Sequence, residues 1–343
     1  MDSTLILVGG IILVALVFDF VNGFHDAANS IATIVATRVL TPAQAVLWAA
    51  GFNFIAAFTV GTGVANTVGA GMIDLRYVTP LVILAGLAGA ITWNLITWWL
   101  GLPTSSSRAL LGGYGGAAMA RVAHLRGLDQ SFDALIGSAW IKTLLFIVVA
   151  PLLGMVLAYA MMVAGYWIFR NAHPDRMDRY FRRLQLLSSA LLSFSHGAND
   201  AQKTAGIITG VLVTSGMLAK FEVPAWVIFV AYGAISLGTM SGGWRVVRTM
   251  GARLTKLKPR SGFCAETAAA VSILFATEYL KLPVSTTHVT AGAIAGVGSI
   301  QRLKAVRWGV ATNILWAWVL TIPATAIVGW LTMEGIQMFT NGN

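Results

Sequence analysis

Two short stretches of this sequence gather side chains that could handle ions and protons. In "NGFHDAANS" (residues 22–30) they are Asn22, His25, Asp26 and Asn29; in "SHGANDAQK" (residues 195–203) they are His196, Asn199, Asp200 and Lys203. Carboxylates and amides offer the hard oxygens that bind Na⁺ or Mg²⁺, and a carboxylate can instead carry a proton. Asp26 and Asp200 are therefore candidate metal or coupling-ion ligands. His25 and His196 are candidate proton-linked groups, since imidazole titrates near physiological pH; a packing hydrogen bond to backbone is the plainer alternative. Both stretches lie in strongly apolar sequence, where a carboxylate costs on the order of 3 kcal/mol to insert and usually serves an ion, a proton or a substrate. Glu266 has similar surroundings. Asp19 and Glu278 do too, but neither has a matching acid elsewhere in the chain.

A second pair of motifs carries hydroxyls. "GLPTSSSR" (residues 101–108) and "KLPVSTTH" (residues 281–288) each end one apolar run and begin another. Proline interrupts a helix or opens one, and Ser or Thr beside it makes a good N-cap. Each motif is expected to be the tip of a re-entrant helix–break–helix hairpin; an ordinary turn outside the membrane is the alternative. Two such tips would present Thr104, Ser105, Ser106 and Ser107 opposite Ser285, Thr286 and Thr287. Hydroxyls and free backbone N–H groups at helix N-termini favour an anion, here a small tetrahedral oxyanion. Arg108 and His288 close the two motifs at equivalent places, to balance anion charge or to cap the tips. A carboxylate beside such a site would separate phosphate, which keeps a proton at neutral pH, from sulfate, which keeps none.

The elements that must position these groups are membrane spans. Of 343 residues, 57% are hydrophobic and only 10% charged, and the mean hydropathy is +0.76; a soluble domain carries about 25% charged residues. Charge-free windows cover residues 42–73, 77–107, 143–169, 223–244, 282–301 and 308–333, and about 20 apolar residues cross the hydrocarbon core. The chain is thus an all-α polytopic membrane protein, without the alternation of a membrane β-barrel. Its net charge of +10 does not mark a nucleic-acid face, because the basic residues gather in what reads as short loops, at 121–126, 170–183, 245–260 and 302–307. Such clusters are the usual cytoplasmic-side signal, and the twelve tryptophans read as interfacial anchors and packing. The single cysteine, Cys264, can form no internal disulfide. "TLILVGGIILVALVF" reads as a first span rather than a cleaved signal.

The motifs also repeat. "NGFHDAANSIATIV" aligns without a gap over "HGANDAQKTAGIIT", placing Asp26 over Asp200, Gly23 over Gly197 and Asn29 over Lys203; the two proline motifs align in the same order. Two homologous halves are expected, residues 1–169 and 184–343, joined by a basic segment at 170–183. Duplicated halves with matching interruptions point to a secondary transporter. No G-x-x-x-x-G-K-[ST] loop supplies ATP drive.

At these residues the sequence resembles the inorganic phosphate transporter (PiT) family, and within it the bacterial low-affinity phosphate permeases; the family is related to eukaryotic sodium–phosphate symporters. "NGFHDAANSIAT", "GLPTSSSR", "FSHGANDAQK", "AETAAAVSI" and "LPVSTTHV" carry the likeness through both halves. The resemblance implies two inverted repeats with paired re-entrant hairpins, about twelve membrane segments, a homodimer in the plasma membrane, and phosphate uptake coupled to a cation. It also implies that Asp26, Asn29, Asn199, Asp200 and Glu266, with the two tips, form the transport site, and that the cation is H⁺ or Na⁺, with phosphate in some relatives travelling as a neutral divalent-metal complex. No resident cofactor is expected. Two departures stand out: this chain lacks the long hydrophilic insert of many relatives, and it carries Glu266 where some bacterial relatives have no acid.

Other readings of the same residues are a permease for sulfate or another oxyanion, a passive anion channel, and a membrane-embedded phosphatase using the Ser/Thr tips with His288. The last lacks the G-x-S-x-G elbow of a serine hydrolase. Residues 1–37 and 308–343 contain no Lys or Arg, consistent with both termini outside. The equivalent segments 121–126 and 302–307 are both basic, which a strict inverted repeat does not predict, so orientation is read for the whole chain only.

Overall fold

The computed structural model describes residues 3–301 and 306–341. Over these the chain forms α1 (Ser3–Ala36), α2 (Pro42–Ile55), α3 (Gly63–Ala70), α4 (Pro80–Leu100), α5 (Ser106–Arg126) and α6 (Gly137–Ile168), then α7 (Pro174–Thr214), α8 (Ala225–Ser241), α9 (Trp244–Arg248), α10 (Pro259–Leu274), α11 (Thr286–Gln301) and α12 (Trp308–Asn341). π-Helical segments, Thr249–Arg253 and Phe275–Tyr279, follow α9 and α10. The all-α expectation holds: no strand occurs among the described residues, only an isolated bridge between Ile73 and Leu135.

Four helical stretches are long and apolar enough to cross a bilayer: Thr4–Ala36, Pro80–Leu100, Gly137–Ile168 and Trp308–Phe339. Two bent pairs, Pro42–Phe58 with Gly63–Ala70 (85°) and Ala225–Ser241 with Trp244–Arg253 (62°), raise the number to six. By this measure there are fewer spans than the resemblance implies. The reason is compositional: α10 and α11 have only 16 residues each, and α5 and α7 carry the Gly, Ser and charged residues of the motifs. Exposed Leu13, Leu145, Ile168 and Leu320 belong to the apolar stretches and suit a lipid-facing surface.

The basic clusters correct one expectation. They lie largely in helices rather than in loops: residues 121–126 end α5, residues 174–183 open α7, and residues 245–253 occupy α9 and the π segment after it. Arginine is a good helix former, and His124 and Arg126 in the last turn of α5 complement the negative end of its dipole. Residues 302–305 of the fourth cluster lie outside the described residues. The segment expected to join two halves is likewise mostly the start of α7, whose 41 residues make a rod about 60 Å long. That is about twice the hydrocarbon thickness, so its arginine-rich first turns suit the headgroup region.

Two hydrophobic clusters flank a polar centre. Along α1, Val8, Ile11, Ala15 and Phe18 belong to one and Ala27, Ala28, Ile31 and Ile34 to the other, leaving residues 19–26 between them. Along α7, Leu192 belongs to the second cluster and Ala205, Ile207, Ile208 and Val211 to the first, leaving residues 193–204 between. The aligned glycines of the two motifs make this packing possible. A Cβ on Gly23 would lie 2.1 Å from the Ile235 carbonyl oxygen of α8, and one on Gly197 would lie 2.5 Å from the Asn53 carbonyl oxygen of α2. Each motif therefore rides directly on a neighbouring helix backbone.

Candidate functional site

The two proline motifs form matching buried breaks. α4 stops at Gly101, which takes a left-handed conformation (φ +67), and Pro103 prevents the helix from resuming. Three residues beyond Gly101, Thr104 and Ser105 lead into α5, and the Ser105 hydroxyl accepts the Arg108 N–H at 3.3 Å. After the π segment behind α10, Lys281 takes the same left-handed turn (φ +54), Pro283 follows, and the Ser285 hydroxyl accepts the His288 N–H at 3.3 Å. Both tips are therefore N-capped by their central serine, as the sequence predicts. Lysine lacks the freedom of glycine at this turn, so the second tip holds backbone strain of about 1–2 kcal/mol. Thr104, Ser105, Ser106, Ser107, Ser285, Thr286 and Thr287 are all buried.

The two ion-handling motifs lie within unbroken helices. On α1, Asp19, Asn22, Asp26, Asn29 and Thr33 recur at alternating three- and four-residue steps, which places them on one face. On α7, His196, Asn199, Asp200 and Lys203 share a face in the same way. These faces meet the tips in a crossed pattern. Asn29, from the first motif, donates its amide to Thr286 (3.1 Å) and Thr287 (2.9 Å) of the second tip. Lys203, from the second motif, donates its ammonium to Ser107 of the first tip, to Asp200, and to the Val284 carbonyl at 3.0 Å. Thr286 closes the ring by donating to Asp200 Oδ2 at 3.1 Å.

The histidines sit behind the carboxylates. His25 Nδ1 lies 2.7 Å from Asp26 Oδ1, with its other nitrogen 3.1 Å from the Thr97 hydroxyl. Thr104 also donates to Thr97, at 2.9 Å. His196 Nε2 lies 3.1 Å from Asp200 Oδ2, and its Nδ1 lies 3.3 Å from Asn53. One ligand atom each from Asp26, His196 and Asp200 fall within 4.8 Å of one another, a spacing that two carboxylates and an imidazole use to hold a cation.

The remaining sequence candidates divide. Asn199 donates to Thr277 at 2.7 Å, and its side-chain oxygen, like those of Asn22 and Asn29, has no partner. The Ser106 hydroxyl is also without one, so one tip retains a buried group able to donate. Arg108 and His288, read as charge balance or caps for the two tips, contact each other: the guanidinium lies 3.1 Å from His288 Nε2 and donates to the Ile147 carbonyl at 3.3 Å. His288 stacks on Trp318 at 3.5 Å. Glu266 stands apart from the ring. Its carboxylate accepts from Thr33 (2.5 Å), Gln185 (2.9 Å) and Ser188 (2.5 Å). Sequence reasoning missed Thr33, Gln185, Ser188, Thr97 and Thr204; for Thr33 the signal was its place on the polar face of α1.

The arrangement offers two groups of oxygens and hydroxyls around the Lys203 and Arg108 side chains, with Asp26 against the His25 ring and Asp200 held by Lys203 and Thr286. Comparison with known proteins gives it a context. A profile of the phosphate transporter family matches residues 22–329. A probable low-affinity inorganic phosphate transporter of Rhizobium meliloti is 52% identical over 96% of each chain. One from Bacillus subtilis is 41% identical, over 96% of this chain and 97% of its own. A solved structure titled as the sodium-dependent phosphate transporter superposes with a TM-score of 0.85 at 25% identity, covering 98% of this chain and 100% of its own. These relatives are named as transporters, not enzymes. The chain is a multi-pass membrane protein, which in bacteria places it in the plasma membrane, and it belongs to the phosphate transporter family.

Proposed function

We propose that this chain is a symporter that imports inorganic phosphate by alternating access, built from two inverted repeats. The observation that carries the reading is the crossed ring in which Asn29 and Lys203 each hold the tip of the opposite half. Phosphate would bind at the two tips, on the hydroxyls of Thr104, Ser105, Ser106, Ser107, Ser285, Thr286 and Thr287 and on the free N–H groups that open α5 and α11. Lys203 and Arg108 supply fixed positive charge close to it. Asp26, Asn29, Asn199 and Asp200 serve the accompanying cation, with Glu266 as a more distant member.

An anion crossing low dielectric is stabilised when its charge is balanced, so anion and cation would enter together before one side closes and the other opens. The grouping of Asp26, His196 and Asp200 also supports a variant in which a divalent ion arrives bound to phosphate as cargo. The deciding experiment is phosphate uptake by the purified chain in proteoliposomes, with H⁺, Na⁺ and Mg²⁺ gradients imposed one at a time. Accumulation driven by at least one gradient is expected. Flux indifferent to all three would leave a passive anion channel as the reading, and preferential uptake of sulfate would make it a permease for another oxyanion.

A further inference from the structure

Four carboxylates are buried among the described helices: Asp19, Asp26 and Asp200 where the two hydrophobic clusters part, and Glu266 within the second cluster. Three of them are answered. Asp26 has His25; Asp200 has Lys203, His196 and Thr286; Glu266 has Thr33, Gln185 and Ser188. Asp19 is different: among the described residues no lysine, arginine or histidine pairs with it, and no short, well-aligned hydrogen bond reaches either oxygen. The Thr204 hydroxyl of α7 and the Asn22 amide, one turn along α1, are the neutral donors that face its carboxylate. The Thr204 hydroxyl and the Asn22 side-chain oxygen are unpartnered as well. The charged and titratable groups that face Asp19 are Asp200 and Lys203 on α7 and the Tyr232 hydroxyl on α8.

Four buried oxygens without a well-formed hydrogen bond are an expensive arrangement, and a carboxylate with no cation on it is the worst of them. A small cation answers all four together. Na⁺ would take the carboxylate, amide and hydroxyl oxygens as hard ligands; a proton would neutralise the carboxylate and turn one oxygen into a donor toward Asn22 or Thr204. The site has a single negative charge of its own and the Lys203 ammonium nearby, so a divalent ion would leave excess positive charge. Asp200 already has its cation, attached to the chain through Lys203. The position aligned with Lys203 is Asn29, so the two copies differ at this point.

We propose that Asp19, Asn22 and Thr204 form the site where a monovalent cation, H⁺ or Na⁺, binds and leaves in each transport cycle, while Lys203 is a permanently tethered cation on Asp200. This rests on the symport reading and adds a cation site beside the group at Asp26 and Asp200. A carrier that held phosphate but had lost the cation would have Asp19 charged with no cation on it, which disfavours reorientation of that half-loaded form. Coupling then follows from the burial of one carboxylate.

The test uses the full chain in proteoliposomes and compares two activities: uphill phosphate uptake driven by an H⁺ or Na⁺ gradient, and exchange of labelled for unlabelled phosphate without any gradient. Asp19→Asn mimics a permanently loaded site, so uphill uptake is expected to fall by about tenfold or more relative to exchange. Asp19→Glu keeps the charge and is expected to retain gradient-driven uptake. In the unsubstituted chain, the gradient that drives uptake identifies the cation. Uphill uptake by Asp19→Asn equal to that of the unsubstituted chain would overturn the proposal alone. So would equal loss of uptake and exchange in both variants when each remains monodisperse, since that marks a purely structural acid. Absence of uphill uptake in the unsubstituted chain would overturn the symport reading, and this proposal with it.

Discussion

The ammonium of Lys203 lies on the carboxylate of Asp200, one helical turn away, and both are buried. A lysine so placed is more than a local ion pair, because its other two donors reach Ser107 and the Val284 carbonyl. It ties the second motif to both tips at once. Each of its three N–H groups has an oxygen, which is how a buried ammonium avoids the desolvation penalty of an unpaired charge.

Replacing Lys203 by Met should therefore do more than remove a contact. Asp200 would be left as a buried charge without its cation, and breaking such a pair by one partner costs about 3–5 kcal/mol. Thermal unfolding in detergent should show a large loss for Lys203→Met and a smaller one for the Lys203→Met, Asp200→Asn double variant. A double variant as unstable as the sum of the two single ones would mean that the residues do not act as a pair.

Asp26 is better placed than Asp200 to recognise the proton of phosphate. Both oxygens of Asp200 are engaged, by Lys203 on one and by Thr286 and His196 on the other, whereas the contact of Asp26 with His25 is through Oδ1. A carboxylate that accepts a hydrogen bond from P–OH repels an oxyanion with no proton. In uptake of labelled phosphate against excess sulfate, Asp26→Asn should lose discrimination by about tenfold, and Asp200→Asn by less. Unchanged discrimination in both would remove the filter from these residues.

How much of this was legible depends on sequence separation. The capping serines and the breaks at Pro103 and Pro283 are local, and the sequence foretold them because caps and proline act within a few residues. Alignment put Arg108 and His288 at equivalent ends of the two tips, but it did not foretell that they pair with each other. The crossing of Asn29 to Thr287 and of Lys203 to Ser107 did not, since helical sequence says which residues share a face but not which face it meets. Asp19 had a local signal, its place in the three–four polar spacing of α1, yet its aligned position in the second copy is Ser193. Glu266 drew attention as an intramembrane acid, while its partners Thr33, Gln185 and Ser188 come from two other helices. The basic segments read as loops because charge marks the membrane boundary without distinguishing a loop from a helix end.

The glycines of the two motifs make a stability prediction with an internal control. Gly23→Ala and Gly197→Ala would each drive a methyl into a neighbouring helix carbonyl, where backbone rather than a flexible side chain must yield. Overpacking of this kind costs about 1–3 kcal/mol. Gly9→Ala on the same helix as Gly23 meets nothing within 4 Å and should be neutral or slightly stabilising, as alanine is the better helix former. Equal melting temperatures for Gly9→Ala and Gly23→Ala would contradict the close approach of α1 to α8.

Glu266 makes the last prediction, in which the mild substitution and the severe one differ for a definite reason. Its Oε1 accepts from Thr33 and Gln185, and its Oε2 from Ser188. Thr37 donates to the Gln185 side-chain oxygen at 2.9 Å, which leaves the Gln185 N–H₂ toward Glu266. Ser188 can turn, since its hydroxyl also reaches the Gln185 carbonyl at 3.3 Å. In Glu266→Gln, the introduced amide can keep its oxygen toward Thr33 and Gln185 and point its N–H₂ at the rotated serine. That change should cost no more than about 1 kcal/mol, since every group keeps a partner and a buried charge is removed. Glu266→Ala instead strands the buried donors of Thr33 and Gln185 and opens a cavity, a loss of about 3 kcal/mol or more. Thermal unfolding of the two variants distinguishes these cases. If Glu266→Gln proves as damaging as Glu266→Ala, the negative charge itself is required there, and a cation must be answering it.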